Sequence, residues 1–190
     1  MTIPPVTPQA KALKGVLRLS ALDSWGIVVI GGLSLLLTLA SFELMGIMVS
    51  ALVLAGGVIE MRGRNALKRR DAATGMKLLV RAQLLILTVL LVYCARCLGS
   101  FDAGYVRDEL IPEANQMLLA TLGITLSDFL AESGMTVDEL VAKVHLTFVL
   151  IYGSVAVLTL LFQGGLALYY RKRTQLVTEA LAAPPQPPLA

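Results

Sequence analysis

Charge is scarce in this chain. Asp, Glu, Lys and Arg make up 15% of 190 residues, where a soluble domain carries roughly 25%. Histidine occurs once, cysteine twice, and aromatic residues reach 6%. A single histidine leaves no bis-histidine haem site, and the sequence matches no Ser-His-Asp order. Metal sites need several convergent ligands, and His145 has no H-x-x-x-H or E-x-x-H partner. Phosphate loops and dinucleotide fingerprints are missing, and so is a basic patch interleaved with aromatics. The pI near 9.0 therefore does not point to nucleic acid. We expect no cofactor, no metal, no lipidation and no cleaved signal peptide, because the first apolar run is too long for one. What the chain has in excess is apolar surface: 56% of residues are hydrophobic and mean hydropathy is +0.76. That composition predicts an all-α membrane protein.

Four spans account for the apolar runs. Ser24 to Ile59 holds 36 residues with one charge, Glu43, and as one helix it would measure about 54 Å, against a hydrocarbon core of roughly 30 Å. Splitting it at Ser41-Phe42-Glu43 gives spans of about 24–41 and 44–60. A third covers about 78–98, with Arg81 and Arg96 reaching for the two interfaces. The fourth lies within 144–173 and ends in Tyr169-Tyr170-Arg171-Lys172-Arg173, an aromatic belt and a basic stop. The charge asymmetry orients them. The N-terminal segment, the 61–81 region and the C-terminal tail hold 13 of the 16 basic residues, which gives net +9 on their side and −6 on the other. Basic residues collect on the cytoplasmic side, so both termini are expected in the cytoplasm of a plasma (bacterial inner) membrane, facing anionic inner-leaflet lipids.

The remaining segments are small. Residues 1–23 read as a flexible, proline-bearing start and an amphipathic helix at 10–21, with Asp23 or Ser24 capping the first span. Residues 61–77 read as a basic cytoplasmic loop around Lys68-Arg69-Arg70, and 174–190 as a Pro-rich tail with P-x-x-P spacing at Pro184 and Pro187 or Pro185 and Pro188. Residues 99–143 read as an acidic extracytoplasmic helical cap. Within it, Gly123-Ile-Thr-Leu-Ser-Asp-Phe-Leu-Ala131 is echoed by Gly134-Met-Thr-Val-Asp-Glu-Leu-Val-Ala142. Gly ends a helix and Thr followed by an acid three residues later starts the next, so helices are predicted at about 103–122 (bent or restarted at Pro112), 126–133 and from 137 into the fourth span.

Ionisable and amide side chains within membrane spans are functional candidates by default. Here they are Glu43, Glu60, Arg81, Gln83, Arg96 and Gln163. An antiparallel hairpin brings Glu60 and Arg81 to one depth and predicts an ion pair; Glu43 and Arg96 are the corresponding outer pair. No ladder of charges crosses the bilayer. Small residues recur at Gly31-Gly32, Gly46 and Ser50, Ala51 and Ala55, Gly56-Gly57, Gly153-Ser154 and Gly164-Gly165. They permit close helix approach, within the bundle or between copies.

The remaining chemistry is thiol chemistry. Cys94 and Cys97, with Arg96 between them, form a C-x-x-C near the outer end of the third span. A four-helix membrane bundle with that pair resembles the quinone-linked disulfide-forming enzymes of the DsbB and vitamin K epoxide reductase types. The resemblance implies a redox role for Cys94 and Cys97, but the second cysteine pair of those enzymes has no counterpart. Asp-Ser-Trp before the first span, with Arg-Gly-Arg and Arg-Arg-Asp-Ala between the second and third, is similar to uncharacterised small bacterial multi-pass membrane proteins over about residues 15–100, a likeness that implies no activity. The reading favoured is a non-enzymatic structural or accessory protein, a homo-oligomer or the subunit of a hetero-complex. It acts through helix packing and a cap that binds a partner or itself. A membrane thiol–disulfide oxidoreductase is the first alternative, and an oligomeric channel or carrier the second.

Overall fold

A computed structural model describes residues 7–183, and the terminal proline-bearing segments, P-x-x-P motifs included, lie outside them. The described residues form helices and no strands. In chain order these are α1 (Pro8–Ala40), α2 (Leu44–Lys68), α3 (Ala72–Gly99), α4 (Ala103–Tyr105), a π-helical turn (Val106–Leu110), α5 (Ile111–Leu122), α6 (Leu126–Ser133), α7 (Val137–Thr159), a second π-helical turn (Leu160–Gly164) and α8 (Gly165–Ala182). Four stretches are long and apolar enough to cross a membrane: Pro8–Ala40, Leu44–Lys68, Ala72–Gly99 and Val137–Ala182. The chain divides into one unit of residues up to Val92 and from Leu158 onward, and a second of Tyr93–Val157.

In the first unit, the buried faces of α1 and α2 are made largely of small or polar residues, and many large apolar residues face outward. α1 buries Ala12, Val16, Ser20, Ser24, Ile27 and Gly31, and α2 buries Gly46, Ser50, Gly56, Gly57, Glu60, Gly63 and Leu67. Meanwhile Ile30, Leu33, Leu36, Leu37 and Leu44 are exposed. A water-soluble bundle does the reverse, because burial of large apolar side chains drives its folding. With lipid outside, close contact between small residues takes over. A Cβ at Gly63 would lie 3.0 Å from the Gly75 carbonyl oxygen, and one at Gly57 2.9 Å from Ile27 Cγ2. Ser34 and Ser50 hydroxyls meet at 2.8 Å between α1 and α2. These glycines serve the bundle, whereas Gly32, Gly153, Gly164 and Gly165 have open space where a Cβ would go.

Two expectations are corrected here. No break separates a surface helix at 10–21 from the first span. α1 runs unbroken for 33 residues, and the Thr7 hydroxyl caps it by accepting the Ala10 N–H, so Asp23 and Ser24 sit mid-helix. Its buried stripe keeps steps of three and four across the expected junction, while Lys11, Lys14 and Arg18 stay on the exposed side. Nor is 61–77 a loop. α2 continues to Lys68, α3 begins at Ala72, and only Arg69, Arg70 and Asp71 lie between them. Gly63 and Gly75, which read as loop residues, meet each other where α2 packs on α3. Arg70 adopts a left-handed backbone, φ 66°. Its guanidinium donates to the carbonyl of Leu181, at 2.8 Å from Nη2, and to that of Ala183, so a residue of the basic run caps the last helix. Asp71 accepts the Thr74 N–H at 3.0 Å, which holds its carboxyl below the usual range. The split at Ser41-Phe42-Glu43 is where α1 ends and α2 begins.

The second unit forms the helices read from its repeat. Asp102 caps α4, with Oδ1 accepting the Gly104 N–H at 2.8 Å. Pro112 has no N–H to give the carbonyl of Asp108 and crowds it. The helix responds by widening over Val106–Leu110, with the Ile111 N–H reaching the Val106 carbonyl. Gly123 and Gly134 end α5 and α6 at φ 70° and 64°. Both capping boxes close: Thr125 Oγ1 accepts the Asp128 N–H and Thr136 Oγ1 the Glu139 N–H, each at 3.2 Å. In return, the carboxylates of Asp128 and Glu139 accept both the hydroxyls and the N–H groups of Thr125 and Thr136; these bonds hold both carboxyls low, the hydroxyl bond foremost at Asp128 and the N–H bond foremost at Glu139.

Candidate functional site

The first unit contains a polar junction with one side chain from each of four helices: Asp23 on α1, Glu60 on α2, Gln83 on α3 and Tyr170 on α8. Gln83 Nε2 donates to Asp23 Oδ2 at 2.6 Å, and the Tyr170 hydroxyl donates to Glu60 Oε1 at 3.0 Å. The Glu60 carboxyl also lies beside the Asp23 carboxylate and the Gln83 amide. Glu60, Gln83 and Tyr170 are each 0% exposed; Asp23 is half-buried. Leu79, Ala82, Gln83 and Ile86 make the buried stripe of α3, and Val16, Leu67, Met76, Leu79, Leu166, Tyr170 and Val177 form the apolar cluster of this unit. Oxygens Oε2 of Glu60 and Oε1 of Gln83 have no donor, nor does Gln163 Oε1, and Arg64 Nε has no acceptor.

Of the residues expected to act inside the membrane, Glu60 and Gln83 come together here. Arg81 does not join them. It lies two positions from both Leu79 and Gln83, which turns it to the exposed side of α3, and the predicted Glu60–Arg81 pair is replaced by Glu60–Tyr170. Glu43 and Arg96 are exposed and form no ion pair; among the described residues the sole salt bridge is Arg107–Asp138. Gln163 is buried in the second π-helical turn, on the stripe that continues through Leu166, Ala167 and Tyr170. Sequence reasoning missed Asp23 and Tyr170, taking one for a cap and the other for an interfacial anchor. The signal was present: Asp23 is three residues from Ser20 and adjacent to Ser24, and Tyr170 is seven from Gln163.

The second unit holds the other two candidates. A groove of about 650 Å³ runs between α5, α6 and the start of α7, lined by Ile111, Asn115, Leu126, Leu130, Met135 and Val137 among others. Asn115 Oδ1 accepts the Leu126 N–H at 2.7 Å and ties the two helices together. Cys94 and Cys97 are free thiols. Cys94 is 1% exposed; Cys97 is half-buried, with Tyr93 and Tyr152 close by. Those rings begin an aromatic row that continues through Phe148 and Phe101 to His145, stacked on Phe101 at 4.3 Å. Among the described residues no three His, Cys, Asp or Glu side chains are grouped to hold a metal.

Comparison with protein-family models, with curated proteins and with solved structures finds no match.

Proposed function

We propose that this protein is a non-enzymatic accessory protein of the plasma membrane, with both termini cytoplasmic. Residues 99–143 form an extracytoplasmic cap that docks a basic helix with an apolar face, contributed by a partner in a membrane complex. The groove between α5 and α6 carries this reading. Its floor is apolar, and carboxylates adjoin its lining in sequence: Glu113 beside Pro112, Asp128 beside Ser127 and Glu132 beside Ala131. An apolar floor with an acidic rim suits an amphipathic helix whose rim-facing side chains are Lys or Arg. The charge asymmetry supports the orientation. Thiol exchange is served less well, because the attacking thiolate needs access and Cys94 is fully buried.

A photo-crosslinking side chain at Leu130, introduced in the native membrane, tests the docking. The expected product is one partner crosslinked through a segment rich in Lys or Arg, reduced when Asp128 and Glu132 are changed to Asn and Gln. Crosslinks confined to lipid or to this chain refute it. A cysteine at Ser133, in a variant with Cys94 and Cys97 changed to Ala, tests the orientation. Labelling of intact cells by an impermeant maleimide is expected, and labelling only after permeabilisation overturns it.

A further inference from the structure

The polar junction has more acceptors than donors. Its donors are the Gln83 amide, used on Asp23, and the Tyr170 hydroxyl, used on Glu60 Oε1. Two carboxyls adjoin each other, while Glu60 Oε2 and Gln83 Oε1, both on side chains 0% exposed, face no donor. Buried polar atoms are nearly always paired, and a buried charge needs a partner of opposite sign. The protein's own cations do not supply it. Arg64, one turn beyond Glu60 on α2, makes no ion pair with it, and Arg81 and Lys77 on α3 are exposed. The other titratable group facing the pair is Tyr170 on α8.

We propose that Asp23, Glu60 and Gln83 form a binding site for one exchangeable monovalent cation, a proton or an alkali ion, held between the two carboxyls. All candidate ligand atoms are oxygens, which suits a hard cation. Divalent ions ask for six or more oxygens or a fixed octahedron of them, and this junction has two carboxyls and an amide. A single positive charge offsets one of the two carboxyl charges and gives the orphan oxygens a partner. Asp23 is the one half-buried member, so the ion enters and leaves past it. Because each helix contributes one group, occupancy and helix association are linked: whatever binds the assembled junction and not the separated helices stabilises it by mass action.

The full chain in lipid nanodiscs tests this by thermal unfolding in NaCl, KCl or choline chloride across a range of pH. Infrared spectra of the same samples report the carbonyl stretch of any protonated carboxyl. If the ion is alkali, the midpoint rises with the logarithm of Na⁺ or K⁺ concentration relative to choline. If it is a proton, the midpoint responds to pH alone and a protonated-carboxyl band is present. In either case the response is lost in Glu60→Gln, which keeps an acceptor for Tyr170, and in Asp23→Asn, and is kept in Glu43→Gln. A midpoint and spectrum indifferent to both cation and pH, or a response equal in wild type and in whichever of the two junction variants folds, overturns the proposal.

Discussion

Substituting Tyr170 by Phe removes one hydroxyl and keeps the ring that packs against Val16, Leu67 and Met76, so its effect isolates the bond to Glu60. In soluble proteins a hydrogen bond to a charged group is worth about 1.5–3 kcal/mol; between membrane helices the mean is about 0.6 and the largest about 1.7 kcal/mol, because separated helices find other partners. The junction argues for the upper part of the membrane range. Both groups are 0% exposed and Glu60 Oε2 already lacks a donor, so losing Tyr170 Oη leaves the carboxyl with no hydrogen-bond donor. We expect Tyr170→Phe to cost about 1–2 kcal/mol. In a Glu60→Leu background the sign reverses: the hydroxyl has lost its acceptor, so Tyr170→Phe relieves an unsatisfied buried group and stabilises. The coupling energy of the cycle should therefore be about 1 kcal/mol or more. Far-UV circular dichroism during SDS-driven unfolding in mixed micelles measures it for all four proteins. Equal effects of Tyr170→Phe in both backgrounds would refute the bond and with it the junction.

Further tests address other parts of the fold. Arg70→Ala should speed amide exchange in the last turn of α8, losing about 0.3–1 kcal/mol of local stability, with little change in α1; unchanged exchange there means the guanidinium does not cap the helix. Gly63→Ala should destabilise despite the better helix propensity of alanine, because its Cβ meets backbone at 3.0–3.1 Å and overpacking costs roughly 1–3 kcal/mol against a gain of about 1. Gly153→Ala, with open space around it, should instead be neutral or stabilising; equal denaturation shifts would contradict the distinction. Asp128 and Glu139 carry depressed carboxyls, so their contribution to the α6 and α7 caps is fully present above the ordinary values of 3.8 and 4.5 and is lost as pH falls through the lower folded ones. Amide exchange at Thr125 and Thr136 should rise on acidification below those values, and a flat profile excludes the capping boxes as its cause. Iodoacetamide should label Cys97 ahead of Cys94, whereas equal rates would restore the case for an accessible redox pair.

The fold was legible wherever local chemistry decides it. Pro112, Gly123, Gly134 and the two Thr–acid pairs punctuate residues 99–143 through contacts within a few positions, and the helices begin and end where those residues dictate. The same is true of Ser41-Phe42-Glu43. Legibility failed where distant packing decides. Nothing local says that Arg70 will cap α8 from across the chain, or that Gly63 and Gly75 mark helix contact and not a loop. Polarity alone suggested that a surface helix at 10–21 stops before the first span and that 61–77 is a loop. What holds those residues helical is the neighbouring helix, which is not visible one segment at a time.

The missed ion pair has the same origin, and it bears on what the junction is for. Placing Glu60 opposite Arg81 matched charges by depth and ignored rotation about the helix. Rotation is set by the buried stripe, and on α3 the stripe includes Gln83 and excludes Arg81. A chain built only to fasten four helices together has an easy solution at this level: the small-residue contacts at Gly57 and Gly63 already bring the backbones close, and an apolar residue at position 60 would avoid the cost of burying a carboxyl. Instead, Glu60 is surrounded by Asp23, an amide and a phenol, while Arg64, one turn on, makes no ion pair with it and Arg81 on α3 is exposed. An arrangement that withholds its own cations from a buried acidic pair is suited to accepting one from outside. For that reason Asp23 and Glu60, ahead of the cysteines, are the residues at which chemistry in this protein should first be sought.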